Sequence, residues 1–119
     1  MQNGVKSEVV QAPSGEERRR YSRHRMIGRL FIVLKDGTTK DATSFEISVG
    51  GISAATTHPL KVGEQVTLWP VVSERVAAVI RRNSGTMYGF EFIGLKPEIR
   101  ERIQEICKKL PPFQTMLDL

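Results

Sequence analysis

Apolar residues along the chain fall into six short runs, each followed by residues that favour a turn. The runs are rich in β-branched and aromatic side chains and too short for typical helices, so they predict strands. They cover residues 26–35, 39–47, 52–57, 65–69, 75–82 and 86–93. Turn signals include Asp36-Gly37 and Gly50-Gly51, and Pro70 is expected to end the fourth strand. Six short antiparallel strands predict an all-β fold, either a small barrel or a sandwich.

The pattern changes after Gly94, where a helical period replaces that of the strands. Pro97 suits the first turn of a helix, and Glu98 suits the positive end of the helix dipole. Because Pro111 stops the pattern, we predict one C-terminal α-helix over residues 97–110, about 14 residues or ~21 Å long. Such an apolar stripe normally packs on its own barrel, and binding of a partner is the alternative. The stripe consists of Ile99, Ile103, Ile106 and Leu110.

The two ends of the chain differ from the folded part. Residues 1–16 are polar and have no strand or helix period, so they are expected to be a disordered N-terminal tail. Residues 17–110 are predicted to form one domain that begins with a basic arm at 17–25, as the length of 119 residues allows. Residues 111–119 form a C-terminal tail, in which Phe113, Met116 and Leu117 hint at a contact surface.

Basic residues are concentrated in the arm, which holds five arginines and His24. The whole chain has 18 Lys and Arg against 13 Asp and Glu, a formal net charge of +5. A local excess of this kind favours an anionic partner. Because a guanidinium binds a phosphate through two parallel hydrogen bonds and also stacks on a base, the arm suits a nucleotide. The alternative is a solvated run of charge that binds nothing in particular.

Several classes of function find no support in the sequence. Cys107 is the only cysteine, which excludes an intrachain disulfide and a cysteine-based metal site and predicts a buried helix residue. His24 and His58 have no Cys or carboxylate at metal-ligand spacing. There is no nucleophile motif or P-loop, so we expect neither an enzyme nor a cofactor. No apolar stretch approaches the ~18 residues of a membrane span and no secretory signal is present, so we expect a soluble cytoplasmic protein.

Two motifs connect the arm to the strands. Arg19 and Arg23 form R-x-x-x-R with Arg18 in front, and the sequence E-I-S-V-G-G begins at Glu46. The pair resembles the PilZ domain, whose R-x-x-x-R arm and D/N-x-S-x-x-G barrel motif form a receptor site for the bacterial second messenger cyclic di-GMP. The resemblance extends over residues 17–110, through the strand order, a late G-x-x-F segment at 89–92 and the terminal helix. It implies a six-stranded antiparallel split β-barrel with a C-terminal helix.

The resemblance also implies roles for individual residues. Arg19 and Arg23 would bind phosphate oxygens and stack on guanine. Arg18 would add a stacking plane, which in this family accompanies an intercalated ligand dimer. Ser48 would offer its hydroxyl, and the glycines after it would permit close approach, although an ordinary bulge at a strand end is an alternative for this loop. The implied cyclic di-GMP site is Arg18, Arg19, Arg23, Glu46, Ser48, Gly50 and Gly51.

Glu46 departs from the family pattern, which has Asp or Asn at this position. Its carboxylate lies one methylene further out, so it would accept from the N1 and N2 donors of guanine only after a shift. The departure predicts a weaker affinity. It also keeps open a PilZ-like adaptor that has lost the ligand and binds a protein through the helix stripe or the C-terminal tail.

The predicted function is a bacterial receptor or adaptor that binds cyclic di-GMP, orders its arm on binding and signals to a downstream protein partner. A small nucleic-acid-binding barrel would also use a basic arm. It is less favoured, because most of the five Phe, two Tyr and one Trp lie at strand positions predicted to be buried.

Overall fold

Six strands and one helix form the computed structural model, which describes residues 22–112. Each element predicted from the sequence is present, with small shifts at its ends. At β1 the shift matters, because His24 and Arg25 were assigned to the arm and are already paired in the sheet. The predicted tail at 1–16 and the residues 113–119 lie outside the described part. The elements are β1 (His24–Val33), β2 (Thr39–Ile47), β3 (Gly51–Ala55), β4 (Gln65–Val71), β5 (Glu74–Ser84), β6 (Met87–Phe92) and α1 (Pro97–Lys109).

The strands close into a barrel in the order β1-β2-β3-β6-β5-β4. All neighbouring strands are antiparallel. The barrel closes where β1 pairs with β4, from Phe31 opposite Trp69 to Val33 opposite Thr67. The predicted fold class is therefore confirmed, and the alternative of a two-sheet sandwich is wrong.

Alternate residues of each strand fill the interior of the barrel. Leu30 and Ile32 of β1, Leu68 of β4 and Ile80 of β5 have no exposed surface. Successive side chains of a strand point to opposite faces, so the residues between them lie on the outer wall. Burying each large apolar side chain contributes about 1.5–3 kcal/mol, which fixes the face that every strand turns inward.

Helix α1 packs on the barrel through Ile99, Ile103 and Cys107, which share one buried core with the strands. The predicted packing of the helix and the predicted burial of Cys107 are confirmed. The predicted stripe differs in its second half, because Ile106 and Leu110 are only half-buried and Cys107 takes the buried position. Burial raises the pKa of the Cys107 thiol, so the thiol stays protonated at neutral pH.

Strand β4 runs through Pro70 and continues to Val71, so the prediction that Pro70 ends the strand was wrong. The Trp69–Pro70 peptide bond is cis, and the pairing of β4 with β5 shifts in register between Leu68 and Val71. Proline is tolerated at such an irregularity, because no ladder hydrogen bond from its nitrogen is required there.

Candidate functional site

The candidate site lies where the start of β1, the end of β2 and the start of β3 meet. In the pairing of β1 with β2, His24 lies opposite Ile47 and Arg25 lies opposite Glu46. In the pairing of β2 with β3, Glu46 lies opposite Ser53. The folded end of the arm therefore lies beside the barrel motif.

Irregular pairing sets Glu46 on the strand face that carries Ser53. The register shifts between Ser44 and Glu46 in the β2–β3 pair, and between Arg25 and Gly28 in the β1–β2 pair. As a result Glu46 lies opposite Ser53, whereas the next residue, Ile47, lies opposite the buried Ile52. Both Glu46 and Ile47 are buried. The buried Ser44 hydroxyl donates to the Met26 carbonyl oxygen at 2.9 Å and so satisfies a backbone acceptor of the irregular segment.

The carboxylate of Glu46 joins the arm to the barrel. Arg23 Nη1 lies 3.2 Å from Glu46 Oε2, and the Ser53 hydroxyl donates to the same oxygen at 3.0 Å. Glu46 is only 7% exposed. Its second oxygen, Oε1, is buried and has no hydrogen-bond donor among residues 22–112. The site therefore contains a negative side chain that is held through one oxygen and has no described donor at the other.

The turn between β2 and β3 is built on Ser48. The Ser48 hydroxyl oxygen accepts from the Gly50 amide at 3.1 Å, and the Ser48 amide donates to the Gly51 carbonyl oxygen at 2.8 Å. Gly51 approaches β6 so closely that an added Cβ would lie 2.1 Å from the Phe90 carbonyl oxygen. Gly51 is thus explained by the contact between β3 and β6, which needs no ligand.

The root of the arm is fastened to the segment that follows α1. The Arg25 amide donates to the Pro111 carbonyl oxygen at 2.9 Å, and His24 forms an antiparallel bridge with Pro112. His24 Nδ1 also lies 3.3 Å from the Leu110 carbonyl oxygen. The first residues of β1 are therefore held from two sides, by β2 and by the post-helix segment.

The structure brings together five of the sequence-predicted site residues and adds one. Arg23, Glu46, Ser48 and the two glycines lie at one end of the barrel, whereas Arg18 and Arg19 lie outside the described residues. Ser53 was missed by sequence reasoning. The Gly50-Gly51 turn signal placed it on the strand that follows, but only the register shift sets it opposite Glu46.

Residues 22–112 contain neither a cluster of potential metal ligands nor a helix that could span a membrane. No group of three or more His, Cys, Asp or Glu side chains in this range is placed to hold a metal ion. The helix within the same range is neither long enough nor apolar enough to cross a membrane.

A family model matches most of the chain. It is the model of the PilZ domain, and the match covers residues 17–109. Among curated proteins, none matches closely enough to be called a relative.

Solved structures of similar fold agree with the family match. One is Escherichia coli YcgR in complex with c-di-GMP, at a TM-score of 0.64 and 24% identity; the match covers 78% of this chain and 46% of the other, so this chain spans about half its length. A second is the PilZ domain of E. coli YcgR with c-di-GMP, at 0.63 and 19%, covering 78% and 91%. A third is the Bacillus subtilis inhibitor of motility MotI/DgrA, at 0.61 and 21%, covering 82% and 55%. At these identities the likeness concerns the fold.

Proposed function

Because the chain belongs to the PilZ family, we propose that it is a receptor for cyclic di-GMP. The observation that carries the proposal is the ion pair of Arg23 with Glu46, which joins the R-x-x-x-R arm to the first residue of the barrel motif. A small ligand can contact both motifs only if they lie on the same side of the barrel. The c-di-GMP complex of E. coli YcgR, a protein of similar fold, supports the choice of ligand.

In this proposal the arm binds the charged part of the ligand. Arg19 and Arg23 bind phosphate oxygens, since a guanidinium offers two parallel N–H donors to such an anion. Arg18 adds a flat surface on which guanine stacks. With this extra plane the site holds an intercalated pair of ligand molecules.

The barrel motif binds the bases. Glu46 Oε1 is a buried acceptor without a donor in the described part, and the N1–H and N2–H groups of guanine supply donors. The Ser48 oxygen accepts from the Gly50 amide, so its hydroxyl proton is the part that a ligand acceptor can use. Gly50 and Gly51 add no side chain at the end of this turn.

The energetics require both halves. Ordering residues 18–23 costs about 1–2 kcal/mol per residue in backbone entropy, or ~6–12 kcal/mol for the six. Each charge-assisted hydrogen bond returns about 1.5–3 kcal/mol, so phosphate contacts alone roughly break even. A micromolar complex needs about −8 kcal/mol, and guanine contacts with the barrel supply the remainder. In this proposal the part of the arm before Arg23 orders on bound ligand, and the ordered surface is what a protein partner in the bacterial cytoplasm recognises.

Calorimetric titration with cyclic di-GMP tests the proposal. The wild-type chain should bind with a micromolar dissociation constant, and Arg19→Ala or Ser48→Ala should weaken binding at least about tenfold by removing one charged or polar contact. Arg100→Ala, which removes an exposed arginine of α1, is the control and should bind like wild type. The same titration tests the intercalated dimer, because Arg18→Ala should reduce a stoichiometry of two ligands per chain to one.

A second candidate function is a PilZ adaptor that does not bind the messenger. It is favoured by Glu46 itself, which stands where the family pattern has Asp or Asn and is engaged by Arg23 and Ser53. Absence of heat at high micromolar ligand would contradict the receptor and select this adaptor.

A further inference from the structure

Two neighbouring aromatic rings on the outer wall of the barrel, away from the candidate ligand site, are each contacted by an arginine. The guanidinium carbon of Arg29 lies 5.6 Å from the centre of the Phe31 ring, and that of Arg75 lies 5.2 Å from the centre of the Trp69 ring. Phe31 and Trp69 are directly opposite each other on β1 and β4, so the two stacked pairs adjoin. We call Arg29, Phe31, Trp69 and Arg75 the cation–aromatic patch.

The patch is exposed, and its two arginines have no carboxylate partner among residues 22–112. Trp69 is 36% exposed, and both arginines of the patch are exposed. Within the described range neither forms an ion pair, whereas Arg81 pairs with Glu91 and Arg102 with Glu74. A guanidinium that lies on a ring is held in place and keeps N–H groups at its edge for a carboxylate. The patch is thus preorganised for acidic groups.

The patch is separate from the surfaces already assigned. Phe31 lies six residues beyond Arg25 along β1, about 20 Å at ~3.3 Å per residue. The helix stripe, which the sequence offered as a partner surface, is used against the barrel, since Ile99 and Ile103 are buried there. The patch therefore remains as an exposed surface with aromatic and charged residues together.

We propose that the cation–aromatic patch docks a protein partner that presents carboxylates beside an apolar side chain. The carboxylates bind the outer edges of Arg29 and Arg75, and the apolar side chain covers Phe31 and Trp69. Trp and Arg dominate the binding energy of protein interfaces, and aromatic residues are enriched in them. The inference does not depend on whether the chain binds cyclic di-GMP.

The charges of the patch favour an acidic protein over a nucleic acid. Binding of a nucleic acid draws on the neutralisation of many phosphates, and the patch offers two cations. Asp41 is exposed and lies opposite Phe31 in the pairing of β1 with β2, on the same outer wall. A phosphate chain laid across the patch would meet this carboxylate, whereas a protein can place its acidic groups on the arginines alone.

A random-peptide phage library panned on the full chain tests the proposal. Counter-selection on an Arg29→Ala/Arg75→Ala variant removes peptides that bind elsewhere on the chain. The peptides that remain should carry Asp or Glu next to an apolar residue. Trp69 is the only tryptophan, so its fluorescence reports binding of the synthetic peptide to the patch directly. Affinity should fall at least about tenfold in the double variant, as for loss of hot-spot contacts. The control Arg81→Ala/Arg100→Ala removes two exposed arginines elsewhere and should leave affinity unchanged.

Three results would overturn the proposal. In the first, the selected peptides bind the double variant as well as wild type. In the second, the selected peptides need the patch but carry no acidic residue. In the third, oligodeoxythymidylate changes the Trp69 fluorescence of wild type and not of the double variant, which would assign the patch to nucleic acid. Thermal unfolding checks that the variants fold. If the double alanine variant unfolds, Arg29→Lys/Arg75→Lys replaces it, because lysine keeps the charge and loses the planar stacking and the bidentate geometry. The lysine variant should then show the same loss of affinity.

Discussion

At the scale of single residues, the two carboxylate oxygens of Glu46 differ in their hydrogen-bond donors. Both of its described donors share Oε2, and Oε1 is buried without one. A buried acceptor left unpaired costs about 1–3 kcal/mol, and a ligand N–H that reaches Oε1 recovers that cost. The same carboxylate holds Arg23, which the proposed ligand also needs. In the proposed complex Glu46 therefore both favours binding of a guanine edge and competes with the phosphate for Arg23.

Shortening this side chain changes the balance between the two effects. Glu46→Asp places the acceptor where the family pattern has it and loosens the pair with Arg23, so cyclic di-GMP should bind several-fold more tightly in calorimetric titration. The control Glu98→Asp removes the same methylene from an exposed residue of α1 and should not change the affinity. An unchanged or weaker affinity of Glu46→Asp would show that the added methylene does not limit binding.

At the scale of strands, the close contact of β3 with β6 supports the turn that carries Ser48. Gly51 lies opposite Glu91 in this pair, next to the Phe90 carbonyl oxygen. The Phe92 amide also donates to the Gly50 carbonyl oxygen at 2.9 Å, so β6 holds the turn through the backbone. The position of the turn therefore depends on a residue without a side chain.

A methyl group at this contact should destabilise the barrel. Gly51→Ala places a Cβ against a backbone carbonyl that cannot rotate away, and overpacking of this kind costs about 1–3 kcal/mol or more. Urea unfolding measures the loss. Gly28→Ala is the control, because its Cβ would meet only the Ser44 hydroxyl oxygen at 3.9 Å, and its stability should change by less than about 1 kcal/mol. Equal stabilities of the two variants would mean that β3 and β6 separate at little cost.

The elements were predictable from the sequence where a regular period governs them. Runs rich in β-branched and aromatic residues predicted the six strands, and the helical period predicted that Ile99 and Ile103 pack on the barrel. The same patterns do not show where the pairing of two strands is irregular. The register shift that sets Glu46 opposite Ser53 leaves no signal in the pattern of apolar residues, because the pattern marks which residues are buried and not where a pairing slips. For the same reason sequence could name Glu46 as a site residue but could not supply Ser53 as its partner.

At the scale of the whole molecule, the first and last described segments meet. The root of the arm pairs with the residues that follow α1, through the Arg25 amide and the His24–Pro112 bridge. Together with the approach of His24 Nδ1 to the Leu110 carbonyl oxygen, these are the described contacts that hold the post-helix segment to the start of β1, and Arg23 precedes them directly in the chain. Short pairings at a sheet margin open more readily than the barrel core. A ligand that holds Arg23 therefore stabilises the pairing of the arm root with the post-helix segment.

Amide hydrogen exchange measures this coupling. Saturating cyclic di-GMP should slow exchange of the Arg25 amide by up to about a hundredfold at a ligand concentration of ~100 times the dissociation constant, because opening of the bridge then requires release of the ligand. The Leu34 amide, which donates to the Thr38 carbonyl oxygen at the other end of β1, is the internal control and should keep its rate, since local opening of that turn leaves the ligand bound. Arg19→Ala should abolish the protection at Arg25. Equal slowing of both amides would mean that ligand stabilises the barrel as a whole, and the arm root would then have no special link to the segment after the helix.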